Sequence, residues 1–119
     1  MFFFDTYALI EIATANPNFK PYLDFPYIVS VLNIGEFYAY LIRTYGQEMA
    51  KERLHSYNFE VPELTKELMM LATEFKIKHA KKELSWADCV GYITARQSGL
   101  KFLTGDSGFK DMLGVEFVK

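Results

Sequence analysis

The feature that most constrains this chain is the spacing of its short apolar runs. Residues 2–4, 27–30, 59–61, 100–104 and 115–118 are brief stretches rich in aromatic or β-branched side chains, which favour strands. Longer segments with helical periodicity separate most of them. Ala8, Leu9, Ile12 and Ala13 form one stripe, stopped by Asn16-Pro17. Residues 33–45 repeat the pattern with Gly46 as C-cap, and 47–57 read as another helix. Pro62 suits the first turn of a helix whose stripe is Leu64, Leu68, Leu71, Ala72 and Phe75. Ser85 caps a further helix with Trp86, Cys89, Val90 and Ile93 inward and Gly99 just beyond its end. Residues 107–113 read as a turn or short helix. Short strands joined through helices pair in parallel by right-handed crossovers. The runs barely alternate in polarity, as expected where helices cover both faces. The sequence therefore predicts a three-layer α/β/α sandwich with a central, mostly parallel sheet of about five strands, in one domain spanning 1–119.

Such a sheet binds ligands beyond the carboxyl ends of its strands. Four acids are expected at positions of that kind. Asp5 ends the first strand, and Asp106 follows the fourth. Glu36 and Asp88 fall in the first turns of the helices after strand two and at Ser85. Each has an ordinary explanation alone. Asp5 would N-cap its helix, Asp106 would cap a turn, and Asn33-x-x-Glu36 and Ser85-x-x-Asp88 fit capping boxes or near relatives. Together they are harder to dismiss, because clustered carboxylates repel and desolvation raises their pKa values. A hard divalent cation removes that conflict. Mg²⁺ prefers oxygen ligands, keeps several waters and accepts phosphate; Mn²⁺ suits the same set. A bound metal lowers the pKa of water and neutralises charge on a phosphoryl oxygen, and two ions ~3.5–4 Å apart could brace the entering and leaving oxygens. Phosphodiester hydrolysis needs both services and no protein nucleophile. Cys89, on an apolar stripe, reads as core, and no Cys/His cluster offers a zinc site.

These residues resemble the PIN domain, and within it the VapC-type toxins of toxin–antitoxin pairs. The resemblance covers essentially the whole chain. Asp5-Thr6 matches the first motif, Glu36 in Asn33-Ile34-Gly35-Glu36-Phe37 the second, and Asp88 in Ser85-Trp86-Ala87-Asp88 the third. Leu103-Thr104-Gly105-Asp106-Ser107-Gly108-Phe109 matches the fourth. It implies Mg²⁺ or Mn²⁺ held by Asp5, Glu36, Asp88 and Asp106, directly or through water. Thr6 and Thr104 would orient carboxylates or a water. It also implies endonucleolytic RNA cleavage, a homodimer and a cognate antitoxin. Many relatives carry a second acid two residues after the fourth; Gly108 stands there in this chain, so the ligand set would number four.

The remaining features are less pointed. The chain has 119 residues, half of them hydrophobic, which excludes wholesale disorder. Its net charge of −2 argues mildly against nucleic acid. Lys76, Lys78, Lys81 and Lys82 answer that locally. They could meet RNA phosphates or form a solvated helix end. Arg96 has the same two readings. His55 and His79 read as surface or packing residues; Tyr38, Tyr40, Tyr45 and Tyr92 read as core or interface more than as base-stacking groups. Exposed aromatics on the first two helical regions would suit a dimer or antitoxin surface. A lone cysteine allows no internal disulfide, no apolar run reaches the ~20 residues of a membrane span, and Asp5 interrupts the apolar start, unlike a signal peptide. The expectation is a soluble cytoplasmic protein without membrane contact. Two other α/β enzyme and receiver classes fit poorly: Tyr7 stands where a haloacid-dehalogenase-type phosphatase needs a second Asp, and Val61-Pro62 supplies no response-regulator acceptor. An RNA-processing PIN nuclease without an antitoxin, or a non-catalytic RNA- or protein-binding PIN-like module, remain as alternatives.

Overall fold

Neighbouring residues of a strand point to opposite faces, and here both directions are apolar. Phe3, Ile28 and Phe102 enter one buried cluster, with Ala72, Val90, Tyr92 and Phe109. Phe4, Val29 and Leu103 enter the other, with Leu9, Phe37 and Leu41. A sheet buried on both faces needs two helical layers, and the computed structural model, which describes residues 1–119, has them. The strands are β1 (Phe2–Phe4), β2 (Tyr27–Ile28), β3 (Phe59–Glu60), β4 (Lys101–Thr104) and β5 (Val115–Phe117). The helices are α1 (Thr6–Ala13), α2 (Val31–Tyr45), α3 (Gln47–His55), α4 (Lys66–Lys78) and α5 (Trp86–Gln97). Helices α1 to α3 cover one face, and α4 and α5 cover the other. No helix is long and apolar enough to cross a membrane.

The sheet runs β3-β2-β1-β4-β5, with every neighbouring pair parallel. The chain adds β2 and β3 outward on one side of β1. It then returns over the opposite face, through α4 and α5, and adds β4 on the other side of β1. The strand order therefore reverses between β1 and β4. Gly91 lets α5 lie close on the sheet there: a Cβ at that position would meet the Phe3 ring at 2.8 Å and the Phe102 ring at 3.1 Å.

Several local expectations are corrected. Helix α2 begins at Val31, earlier than the period alone marked, because Ser30 caps it. The Ser30 oxygen accepts the Asn33 N–H at 3.2 Å, and Asn33 Oδ1 accepts the Ser30 N–H at 3.1 Å. The capping box is thus Ser30 with Asn33, not Asn33 with Glu36, and Glu36 lies in the second turn. Pro62 is outside α4, which starts at Lys66 with the Thr65 hydroxyl accepting from the Leu68 N–H. Leu71 is 40% exposed and Trp86 46% exposed, so neither is the inward residue that helical spacing indicated.

Replacing Gly91 with Val forces branched atoms between two buried rings. Overpacking of this kind costs about 1–3 kcal/mol. The expected result is a lower urea midpoint at unchanged m value; an unchanged midpoint would show that α5 does not ride this close to the sheet.

Candidate metal centre

The reversal point between β1 and β4 brings Asp5 and Thr104 side by side. The Asp5 N–H extends the ladder to the Leu103 carbonyl at 3.1 Å. Asp5 stands at the N-cap of α1 but makes no side-chain cap. Its carboxyl is instead almost wholly buried, 2% exposed. Oδ2 accepts the Thr104 hydroxyl at 2.7 Å, and Oδ1 has no hydrogen-bond partner. Burial pushes the Asp5 pKa up to about 8. The charges of Asp88 and Asp106 add to the rise, against the opposing Thr104 hydroxyl and Thr6 N–H.

Asp106 is placed by the turn after β4. Thr104 Oγ1 accepts the Asp106 N–H at 3.1 Å, and Asp106 Oδ1 accepts the Gly108 N–H at 2.9 Å. Between them, Gly105 has no room for a side chain. A Cβ would stand 2.3 Å from the Val118 carbonyl oxygen and 2.4 Å from the Tyr7 ring. Asp88 is the third residue of α5 and forms a capping box with Ser85: its Oδ2 accepts the Ser85 N–H at 2.8 Å, while its own N–H donates to Ser85 Oγ at 3.0 Å. Burial raises its pKa, with the charges of Asp106 and Glu36 adding and the Ser85 bonds opposing. Glu36 Oε1 accepts the Thr6 hydroxyl at 2.7 Å.

The four acids are thus linked through the field of Asp88, which acts on Asp5 and itself feels Asp106 and Glu36. Each fixes one oxygen by a hydrogen bond and leaves the other without one. No three acidic, His or Cys side chains close directly into a ready ligand cage. That donor set suits a hard cation that keeps much of its water, as Mg²⁺ does, and the partnerless buried oxygen of Asp5 fits such a group. Cys89 is buried, and burial pushes its thiol up to about 11, so it offers no nucleophile.

The sequence matches the PIN-domain family model over residues 2–114. The chain belongs to the PIN-domain family. Solved structures share the fold. VapC20 from Mycobacterium tuberculosis, described as a sarcin–ricin-loop-cleaving toxin, is 21% identical with a TM-score of 0.81 over 100% of both chains. A toxin–antitoxin complex from Klebsiella pneumoniae gives 18% and 0.74, covering 98% of this chain and 96% of that one. VapBC2 from Rickettsia felis, solved with a DNA fragment from its promoter, gives 13% and 0.74 over 99% and 98%. No curated protein sequence matches.

Behind Glu36, this PIN domain carries a relay that the sequence motifs did not reveal. Asn33 is fully buried. Its Oδ1 accepts from both the N–H and the hydroxyl of Ser30, at 3.1 and 2.7 Å. Its Nδ2 must then face Thr6, and it donates to Thr6 Oγ1 at 3.1 Å. With its oxygen occupied as acceptor, the Thr6 hydroxyl donates onward to Glu36. The only available signal was Asn33 three residues after Ser30.

The basic candidates separate. Lys82 is exposed, and its Nζ donates to the Gly108 carbonyl at 3.0 Å, beside Asp106. Lys76 Nζ donates to the Leu84 carbonyl, near Asp88. Lys81 is exposed on the same short turn. Arg96 is not brought to the acids. It lies eight residues beyond Asp88 along α5, about 12 Å of helix rise, against Gly114 at the start of β5. That is the amino end of the strands, whereas the acids lie at their carboxyl ends. Tyr92 is core, its hydroxyl donating to the Leu113 carbonyl at 2.7 Å, and His79 packs on Phe75.

Two outcomes are expected. Asp5 has a folded pKa of about 8 against about 3.9 unfolded. The folded state then holds a proton that the unfolded state has released. Its stabilising effect is complete below about pH 4 and is lost as pH rises through about 8. In chelator-treated protein, Asp5→Asn should match wild type near pH 4 and exceed it by a few kcal/mol at pH 8, read from urea unfolding at each pH. A constant difference across that range would contradict the buried carboxyl. Asn33→Leu leaves the Ser30 N–H and hydroxyl proton without their acceptor and Thr6 Oγ1 without its donor, and should cost about 2–3 kcal/mol; a loss below the error of the unfolding curve would mean the relay carries no strength.

Proposed function

We propose that this PIN domain is a Mg²⁺- or Mn²⁺-dependent endoribonuclease acting as the toxin of a VapBC-type pair. The observation that carries the reading is the Asp5 carboxyl. It is buried, lacks a partner on one oxygen, and feels two further negative charges. A fold keeps such a group at a cost in stability, and a cation offsets it. Asp5, Glu36, Asp88 and Asp106 would hold the ion, directly or through water.

When bound, the ion supplies a water of lowered pKa and positive charge for a phosphoryl oxygen. The chain's own residues prepare the place. Thr104 fixes one oxygen of Asp5 while holding the Asp106 backbone. Thr6, fixed by Asn33, holds one oxygen of Glu36. Ser85 and Gly108 hold one oxygen each of Asp88 and Asp106. All four acids are thereby restrained before any ligand arrives, which lowers the entropic cost of binding one. The rim lysines supply phosphate contacts. The toxin–antitoxin complexes among the structural neighbours support an antitoxin partner for this chain. A homodimer and a cytoplasmic location belong to the same reading.

Asp5→Asn and Asp88→Asn keep their hydrogen-bond acceptors and remove charge. Each should lower Mg²⁺-dependent cleavage of single-stranded RNA by at least about 100-fold, as loss of several kcal/mol of transition-state stabilisation does. Calorimetry should show Mn²⁺ binding to wild type and much weaker binding to either variant. Unchanged cleavage by both variants, or no Mn²⁺ binding to wild type, would sink the assignment.

A further inference from the structure

Trp86 is the only tryptophan of the chain, and it opens α5 two residues before Asp88. Helical spacing places it on the stripe of Cys89 and Val90, yet those residues are fully buried and Trp86 is 46% exposed. Leu84 and Ala87 on either side of it are buried, so the exposure belongs to this ring and not to the helix start as a whole. A large flat apolar side chain left in water costs free energy unless something covers it.

A cation stands against the ring. The Lys76 ammonium stands 5.3 Å from its centroid and is held there by the Leu84 carbonyl. Lys82 is fixed to the Gly108 carbonyl, whose own N–H is bonded to Asp106. Both lysines are bonded to neutral carbonyls in these contacts, and an ammonium has donors to spare for a phosphate oxygen. An aromatic face beside anchored cations is the pairing that single-stranded nucleic acid uses: bases stack and phosphates meet ammonium groups.

We propose that Trp86 is the platform on which an unpaired base of the RNA stacks, with Lys76 and Lys82 contacting the adjoining phosphates. This rests on the reading that the four acids cleave RNA. Stacking on an indole face tolerates any base but requires it to be out of a duplex. Trp86 then directs the site towards single strands and loops and sets the strand's register relative to Asp88. It touches base and not metal.

The lone tryptophan makes the test direct. Wild type in chelator, where no cleavage occurs, is titrated with a short fluorescently labelled single-stranded RNA. Label anisotropy reports binding, and Trp86 emission reports stacking. The expected result is quenching that tracks binding, with weaker quenching by a duplex of the same sequence. Trp86→Ala should weaken binding by about tenfold and Trp86→Phe by less, both with unchanged Mn²⁺ titrations and far-ultraviolet circular dichroism. Binding without quenching, no binding, or equal affinity of Trp86→Ala overturns the proposal. So does emission that responds to protein concentration and not to RNA, which would make the ring a protein contact. Quenching and tenfold loss without Mg²⁺-dependent cleavage would sustain the platform and remove the nuclease reading. Cleavage with an unmoved tryptophan would do the reverse.

Discussion

Strands β1 and β4 are neighbours only because the chain crosses from one face of the sheet to the other between β3 and β4. That crossover puts the end of β1 against the end of β4 and lets the Thr104 hydroxyl reach Asp5 at 2.7 Å. The bond joins residues almost a hundred positions apart, and both are buried. The strands that carry it send alternate side chains into each helical layer. In turn, it decides which Asp5 oxygen is satisfied and which is not. Burial sets the electrostatic character of the centre, with the charges of Asp88 and Asp106 adding to it and this contact opposing it.

The ordinary and the functional explanations of the acids prove compatible. Asp88 is a capping residue, and Asp106 does cap its turn. Neither task uses more than one carboxylate oxygen. A carboxylate has two, and the bond that caps a helix also fixes the direction of the second. Asp5 is the exception: it holds the N-cap position and leaves the cap unmade. Its oxygen goes to Thr104, a partner from another strand. Like Glu36, which accepts from Thr6 and caps no helix, it has a placement that helix stability does not explain.

The layer order, the parallel pairing and the five strands were legible because they depend on short apolar runs and helical periods, which sequence records directly. The family of Asp5, Glu36, Asp88 and Asp106 was legible because their motifs occur in order. What escaped were features set by where an element ends relative to its neighbours. Trp86 satisfies the period of α5, yet its ring is exposed between the buried Leu84 and Ala87. Arg96 shares a helix with Asp88 and is carried to the other end of the strands. Pro62 looks like a helix start, but the Thr65 hydroxyl supplies the better cap three residues on. Asn33 looked like half of a box with Glu36, whereas its side chain turns back to Ser30 and across to Thr6.

The net charge of −2 is a poor guide to what this surface attracts, because the two signs are held apart. The acids keep their free oxygens at the end of the β1–β4 crevice. Lys76 and Lys82 are fixed on the carbonyls of Leu84 and Gly108 at its rim. Had these lysines paired with Asp88 and Asp106, they would have offset the mutual repulsion of the acids. Carbonyl anchors avoid that cancellation while limiting how far each ammonium can wander. A polyanion that meets such a rim is drawn by charges within a Debye length, about 8 Å at physiological salt, and not by the total. Local separation of charge is what makes the proposed reading, a cation at the centre and phosphates around it, compatible with a net charge of −2.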